Sequence, residues 1–203
     1  MAPDLDSIEE ICFVNKTEED LLTGSVRPIV LLKRRNTSAL AKDLAFNLPE
    51  IGVMLPYTPL QHILLNDYKK AGGKFLVMTS GNIYDNPIIT DDDQARLVLA
   101  DVADAVLGNN REILQRYDDS VVRVINAGNV EAVQMIRRAR GYAPVPLRLC
   151  LDNKQEVFAT GPEQKNTFAY LRNIANSENE KTNVEVFVSQ HIGDVENAEI
   201  FDV

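Results

Sequence analysis

The sequence is poor in the residues that build metal and disulfide frameworks. Its 203 residues include two cysteines, Cys12 and Cys150, and two histidines, His62 and His191. The cysteines stand far apart and no CxxC pair occurs, which excludes a zinc framework or a disulfide scaffold and makes a reducing cytoplasm the simpler home. No apolar run approaches bilayer length, and the acidic opening MAPDLDSIEE lacks the basic and apolar regions of a secretory signal. A soluble, cytoplasmic protein without membrane contact is expected. A basic excess is missing too: 21 Lys and Arg face 30 Asp and Glu, for a net charge of −9. That balance disfavours a protein that reads nucleic-acid backbone through bulk charge. The run Ala71-Gly72-Gly73-Lys74 is not a P-loop, because it lacks the Ser or Thr after the lysine and the first glycine at the required spacing. No internal repeat or low-complexity segment is present.

What is there is ordinary globular composition, 45% hydrophobic and 25% charged, enough for one full core and part of a second unit. Short apolar or alternating runs predict strands at Ile29–Leu32, Ile51–Leu55, Phe75–Met78 and Ser120–Ile125. Helical spacing marks Leu60–Tyr68 and Asp92–Leu99. Thr90 followed by Asp91, Asp92 and Asp93 reads as a helix start, in which negative charge complements the helix N-terminus; it is not read as a metal site. Strands alternating with helices imply an α/β (α+β) domain. Pro144 and Pro146 break the pattern, and a boundary between domains is expected between Pro146 and Asp152. Beyond it, Val157–Thr160 and Val184–Ser189 look like strands separated by the polar stretch Asn173–Asn183.

Three segments carry residue types suited to chemistry. VMTSGN places Thr79, Ser80, Gly81 and Asn82 after an apolar run, where hydroxyls, an amide and exposed backbone N–H groups suit phosphate or carbonyl oxygens. The same residues would also serve a plain strand-to-loop turn. The second segment is arginine-rich: Arg111, Arg116, Arg123, Arg137, Arg138 and Arg140 bracket the Asp118-Asp119-Ser120 turn. Guanidinium groups match phosphates bidentately, yet at least half of these arginines are expected to pair with nearby carboxylates, with Arg140, followed by Gly141, as the exception. No set of aromatic platforms for stacking bases is expected near them, which weighs against an RNA-binding module. In PYTPL, Pro56, Tyr57 and Thr58 either line a pocket or start a helix, with Thr58 as N-cap and Pro59 in the first turn. His62 is read as structural more readily than as a general base, since no nucleophile is marked beside it.

The order and wording of RPIVLLKRR, LPEIGVMLPYTPL, VMTSGNIYDNPI, YDDSVVRV and RRARGYAPVPL, from Arg27 to Pro146, resemble the HypF hydrogenase-maturation carbamoyltransferases. GPEQKNTFAY and SQHIGDVEN in the tail are similar to the opening of that family's actin-like domain. The resemblance implies a YrdC-like domain over residues 1–147, N-terminally truncated, with a twisted mixed sheet and helices. The start of an actin-like carbamoyl-transferring domain, truncated and β-rich, would occupy residues 148–203. It implies ATP-dependent activation of carbamoyl phosphate to carbamoyl adenylate, with Mg²⁺ on the ATP phosphates, and transfer of the carbamoyl group to the C-terminal cysteine of HypE for the cyanide ligands of nickel-iron hydrogenase.

Under the same resemblance, Thr58, Thr79, Ser80, Gly81, Asn82, Ser120, Arg123, Arg140 and Gly141 belong to the nucleotide and carbamoyl site, with Pro56 and Tyr57 along its wall. Lys165, Asn166 and Thr167 belong to a second site. No residue is singled out as catalytic and no metal ligand is assigned. Zinc is expected only in family parts that lie outside this sequence, as are the acylphosphatase-like domain, a basic lysine-arginine motif and later metal-binding histidines. The polypeptide is therefore expected to be inactive or very weak by itself, with sheet edges available for pairing. The rival readings are a threonylcarbamoyl-adenylate synthase of tRNA modification and a non-catalytic nucleotide- or RNA-binding module.

Overall fold

Each helix starts where a polar side chain satisfies its first free backbone N–H groups. The computed structural model describes residues 1–36, 40–41, 43–83, 86, 88–114, 116–128, 130–151, 155–161, 166–174 and 183–190. Among them the order of elements is α1 (Leu5–Ile11), α2 (Lys16–Thr23), β1 (Ile29–Lys33), β2 (Glu50–Val53), α3 (Pro59–Lys70), α4 (Asp92–Val98), β3 (Val121–Ala127), β4 (Val130–Arg137), β5 (Leu147–Cys150), β6 (Val157–Ala159), β7 (Ala169–Ile174) and β8 (Asn183–Val188). Asp4 caps α1 by accepting from Ser7 N, and Asp91 caps α4 by accepting from Gln94 N. Asn15 with Glu18 and Thr58 with Gln61 form reciprocal capping boxes on α2 and α3. Each such cap contributes about 1 kcal/mol to its helix.

The chain divides into two compact units. The first comprises Met1–Met78 and Asp119–Tyr142, the second Thr79–Asp118 and Ala143–Val203. In the first, a four-stranded mixed sheet has the order β2-β1-β3-β4. β1 runs antiparallel to β2, with Val30 opposite Val53, and parallel to β3, with Ile29 opposite Val121. β3 and β4 form an antiparallel hairpin whose register shifts between Val121, opposite Arg137, and Val122, opposite Met135. Ile8, Ile11 and Leu22 from α1 and α2 pack with Val30, Leu32, Val53, Leu55 and Val122 of the sheet and its flanks in one buried apolar cluster. The alternation of these sheet residues sends one side chain in two to the same face, and two helices cover it.

The second unit holds α4 and an antiparallel sheet of order β5-β8-β7-β6. Across it, Glu185 of β8 stands opposite Arg148 of β5 and Arg172 of β7. Its carboxylate is buried and accepts from Arg172 Nη2 at 2.9 Å, with Arg148 Nε at 3.4 Å, so a charge that would be costly alone is satisfied from both sides.

The expected strands at Ile29–Leu32, Ile51–Leu55, Ser120–Ile125, Val157–Thr160 and Val184–Ser189 correspond to β1, β2, β3, β6 and β8. One does not form: Phe75–Met78 lies outside any strand. Leu76 exchanges backbone hydrogen bonds with Met1, at 2.7 and 3.0 Å, and Val77 and Met78 are exposed. No strand or helix was expected at α1, α2, β4, β5 or β7. His191 and most of the SQHIGDVEN segment lie outside the described residues, as does Lys165.

Candidate functional site

The residues singled out in the sequence fall into both units. Thr79, Ser80, Gly81 and Asn82 belong to the second, while Pro56, Tyr57, Thr58, Ser120, Arg123, Arg140 and Gly141 belong to the first.

In the first unit the site is assembled where β4 ends. Ala139 to Tyr142 form a tight turn closed by Tyr142 N donating to Ala139 O at 3.0 Å, with Gly141 at φ 84°. That left-handed conformation favours glycine. A Cβ on Gly141 would also come within 2.5 Å of Val26 Cγ1, so the position is closed to side chains on two counts. The turn aims Arg140 back at the segment entering β1. Its Nε donates to Asp119 Oδ1 at 2.7 Å, Nη1 to Val26 O at 2.8 Å and Nη2 to Arg27 O at 2.9 Å. The guanidinium also lies over the ring of Tyr57, 3.4 Å from its centroid. Burial first, then the charge of Asp119, raise the Tyr57 pKa, opposed by Arg140.

Ser120 is buried beside this turn. Its hydroxyl donates to Arg140 O at 2.9 Å and accepts from Ala139 N at 2.8 Å, while its own carbonyl accepts from Ile29 N at 2.8 Å. Ser120 thus fastens the starts of β1 and β3 to the loop after β4. The Thr58 hydroxyl is engaged as well, accepting from Gln61 N at 3.2 Å, while Gln61 Oε1 accepts from Tyr57 N and Thr58 N. Arg123 Nη2 pairs with Glu50 Oε2 at 2.7 Å across the sheet. Its buried Nε has no hydrogen-bond partner among the described residues.

The expected pairing of the arginines is thus visible in part, but Arg140, expected to stay unpaired, is the one most fully tied into the protein. Arg116 Nε donates to Ile88 O at 2.6 Å in the second unit, and Arg138 Nη2 donates to Tyr142 O at 2.8 Å in the first. Arg27, Asp119 and Val26 join this cluster without having been picked out as site residues. The Arg-Pro dipeptide at 27–28 and the second acid of the Asp118-Asp119 pair were the available signals.

In the second unit, Thr79, Ser80 and Gly81 are exposed, and the hydroxyls of Thr79 and Ser80 have no hydrogen-bond partner among the described residues. Asn82 closes its own turn, its amide donating to Ile83 O and Asn86 O at 3.0 Å each, while Ile89 N donates to Gly81 O at 2.9 Å. A Cβ on Gly81 would meet nothing within 4 Å. Asn166 and Thr167 pass so close to Gly161 that a Cβ there would meet Thr167 O at 1.9 Å.

A family model described as telomere recombination, Sua5–YciO–YrdC, matches residues 1–139. Among curated proteins, carbamoyltransferase HypF of Rhizobium leguminosarum bv. viciae is 37% identical over 98% of this chain and 24% of its own length. Carbamoyltransferase HypF2 of Cupriavidus necator is 41% identical over 91% of the chain and 23% of its own length. Among solved structures, full-length HypF in a phosphate- and nucleotide-bound form superposes with a TM-score of 0.78 at 40% identity, covering 98% of this chain and 29% of that one. HypF of T. kodakarensis gives a TM-score of 0.81 at 34% identity, covering 100% and 24%. The chain spans about a quarter of the length of the curated relatives it matches. Its mixed α/β fold is that of the matching portion of HypF, and on these matches the chain belongs to the Sua5–YciO–YrdC family and is a homologue of the HypF carbamoyltransferases.

Proposed function

We propose that this chain carries the carbamoyl-adenylate-forming step of a HypF carbamoyltransferase, using ATP and carbamoyl phosphate. The observation that carries the reading is its likeness, at 40% identity over 98% of the chain, to a HypF whose structure is described as phosphate- and nucleotide-bound. Atom balance sets the sequence of events. Water releases phosphate from carbamoyl phosphate, a carboxylate oxygen of the resulting carbamate attacks the α-phosphorus of ATP, and the bond from that phosphorus to pyrophosphate breaks. Such a step depends on positioning and on donors aimed at developing negative charge.

Within this proposal the exposed hydroxyls of Thr79 and Ser80 and the backbone N–H groups around Gly81 serve phosphate or carbamoyl oxygens. Arg123 is proposed for the same site, with Glu50 balancing its charge. Arg140, Ser120 and Thr58 act by holding the shape of the loops, since their side chains already bond the protein, and Gly141 does so through its left-handed turn. Mg²⁺ arrives on the ATP phosphates; among the described residues no group of three or more His, Cys, Asp or Glu stands together to hold a metal. Asn166 and Thr167, with Lys165, are proposed for a second site.

We further propose that residues 1–147 form the YrdC-like part and 148–203 the beginning of the actin-like part. Transfer to HypE belongs to the longer protein, and the chain alone turns over weakly or not at all. The test is ATP–pyrophosphate exchange dependent on carbamoyl phosphate, measured on this chain and on a version carrying the additional length of its HypF relatives. Exchange in the longer protein is expected. Exchange in neither, with both proteins folded, sinks the reading, and dependence on threonine and bicarbonate transfers the chain to threonylcarbamoyl-adenylate synthesis.

A further inference from the structure

Arg140 and Arg27 sit in one cluster with opposite fates. All three nitrogens of the Arg140 guanidinium donate to protein, and Asp119 neutralises its charge. Arg27 has no carboxylate partner among the described residues. Only its Nη1 is engaged, donating to Pro56 O and to His62 Nε2, the latter at 3.0 Å. A guanidinium nitrogen only donates, so His62 accepts through Nε2. Nε and Nη2 of Arg27, the edge that grips an oxyanion with two parallel hydrogen bonds, are unspent. The backbone that carries this side chain is held in an unusual state: Arg27 has φ 48°, a left-handed conformation in a residue that is neither glycine nor asparagine, directly before Pro28. Its carbonyl is fixed there by Arg140 Nη2.

We infer that Arg27 is an oxyanion-binding residue of the first unit, presenting its Nε–Nη2 edge to a phosphate or carboxylate group, and that His62 is its positioning residue. The inference rests on the reading of this chain as an adenylate-forming site, where the anion would be a phosphate of ATP or the carbamoyl substrate. Arg140 then acts on the ligand only through Arg27, whose carbonyl it pins. His62 fixes the Nη1 side so that the opposite edge faces outward; it takes no proton in this role.

The experiment follows the arginine Nε–H resonances of the ¹⁵N-labelled chain by NMR, assigned with Arg27→Lys and Arg140→Lys. Inorganic phosphate, ATP and carbamoyl phosphate are titrated separately. A saturable shift of the Arg27 signal is expected, with the Arg140 signal, bonded to Asp119, moving little. Arg27→Gln is expected to weaken binding by about tenfold, the loss of one bidentate charge-assisted contact. His62→Leu should weaken binding, and His62→Gln, whose amide oxygen can still accept from Arg27, should restore most of the affinity. A ligand that binds while the Arg27 signal stays still overturns the inference, as does the absence of any Arg27 shift with all three ligands. His62→Gln weakening binding as much as His62→Leu overturns the positioning role. A shift with inorganic phosphate, but neither ATP nor carbamoyl phosphate competing for the same signal, supports the oxyanion site and instead removes the adenylate reading.

Discussion

The guanidinium of Arg140 lies 3.4 Å from the ring centroid of Tyr57 while its Nε donates to Asp119 at 2.7 Å, so one side chain joins a stacked face to an ion pair. At 21% exposure the Arg140 side chain is largely withdrawn from solvent, and its charge is held by fixed partners. Arg140→Lys keeps the charge but cannot reproduce three directional donors and a planar face. We expect it to lower stability by about 2 kcal/mol, read from urea denaturation, because acceptors at Asp119, Val26 and Arg27 lose their partner. Unchanged stability would show that the network contributes nothing net.

Two serines that look alike in the sequence should behave differently. Ser120→Ala strands a backbone N–H and removes a donor in a fully buried position, and is expected to cost about 1–3 kcal/mol. Ser80→Ala, at an exposed hydroxyl, should change stability by no more than about 0.5 kcal/mol. Carbamoyl-phosphate-dependent exchange in the longer protein should instead fall by about tenfold or more. Equal effects of the two substitutions on stability would contradict this division.

Gly141→Ala meets both a left-handed φ and a contact of 2.5 Å to Val26 Cγ1. A loss of about 2 kcal/mol is expected. Adding Val26→Ala removes the Cγ1 clash and should return part of that loss, leaving the cost of the backbone conformation. No recovery in the double variant would assign the whole effect to φ.

Hydrogen bonds from Lys69, then Ser7, hold the Asp4 carboxyl down at about 2. The sign follows directly: with the folded-state pKa depressed, the contribution is present above the ordinary carboxylate pKa and fades as pH falls toward 2. The pair is partly exposed and screened, so Asp4→Asn should remove about 1 kcal/mol or less near neutrality. The difference between wild type and variant should vanish near pH 2, measured by thermal melts across that range. A difference that persists there would refute the assignment.

The two cysteines should separate in a thiol-labelling experiment. Cys12 is fully buried in the apolar cluster, and burial pushes its thiol up to about 11, while Cys150 is exposed on β5. Near neutral pH the native chain should modify rapidly at one site, and at both after denaturation, followed by mass spectrometry. Fast modification of Cys12 in the native state would mean that the α1–α2 layer opens readily.

Local chemistry makes part of this molecule legible in the sequence alone. Thr58-Pro59 with Gln61, and Asp91 ahead of Asp92 and Asp93, start helices because a cap needs only residues within one turn. The same one-turn signal stands at Asn15 with Glu18, just past the acidic opening, where a capping box starts α2 and no helix was expected. β4 was missed for another reason: its residues are mostly exposed and its apolar members follow no clean alternation across the bulge beside Val121 and Val122.

The apolar runs and the RRARGYAP and VMTSGN segments, by their order along the chain, determined the α/β class and the family. What they could not determine is how each polar group is spent. Arg140 finds its acceptors at Val26 and Arg27, 114 and 113 residues away in the chain, and Ser120 bonds residues 19 and 20 positions distant. A guanidinium or hydroxyl is the same chemical group whether it meets a ligand or a backbone carbonyl. Only the parallel pairing of β1 with β3, which brings those distant carbonyls to the end of β4, decided that Arg140 and Ser120 are tied into the protein while Arg27 keeps an open edge.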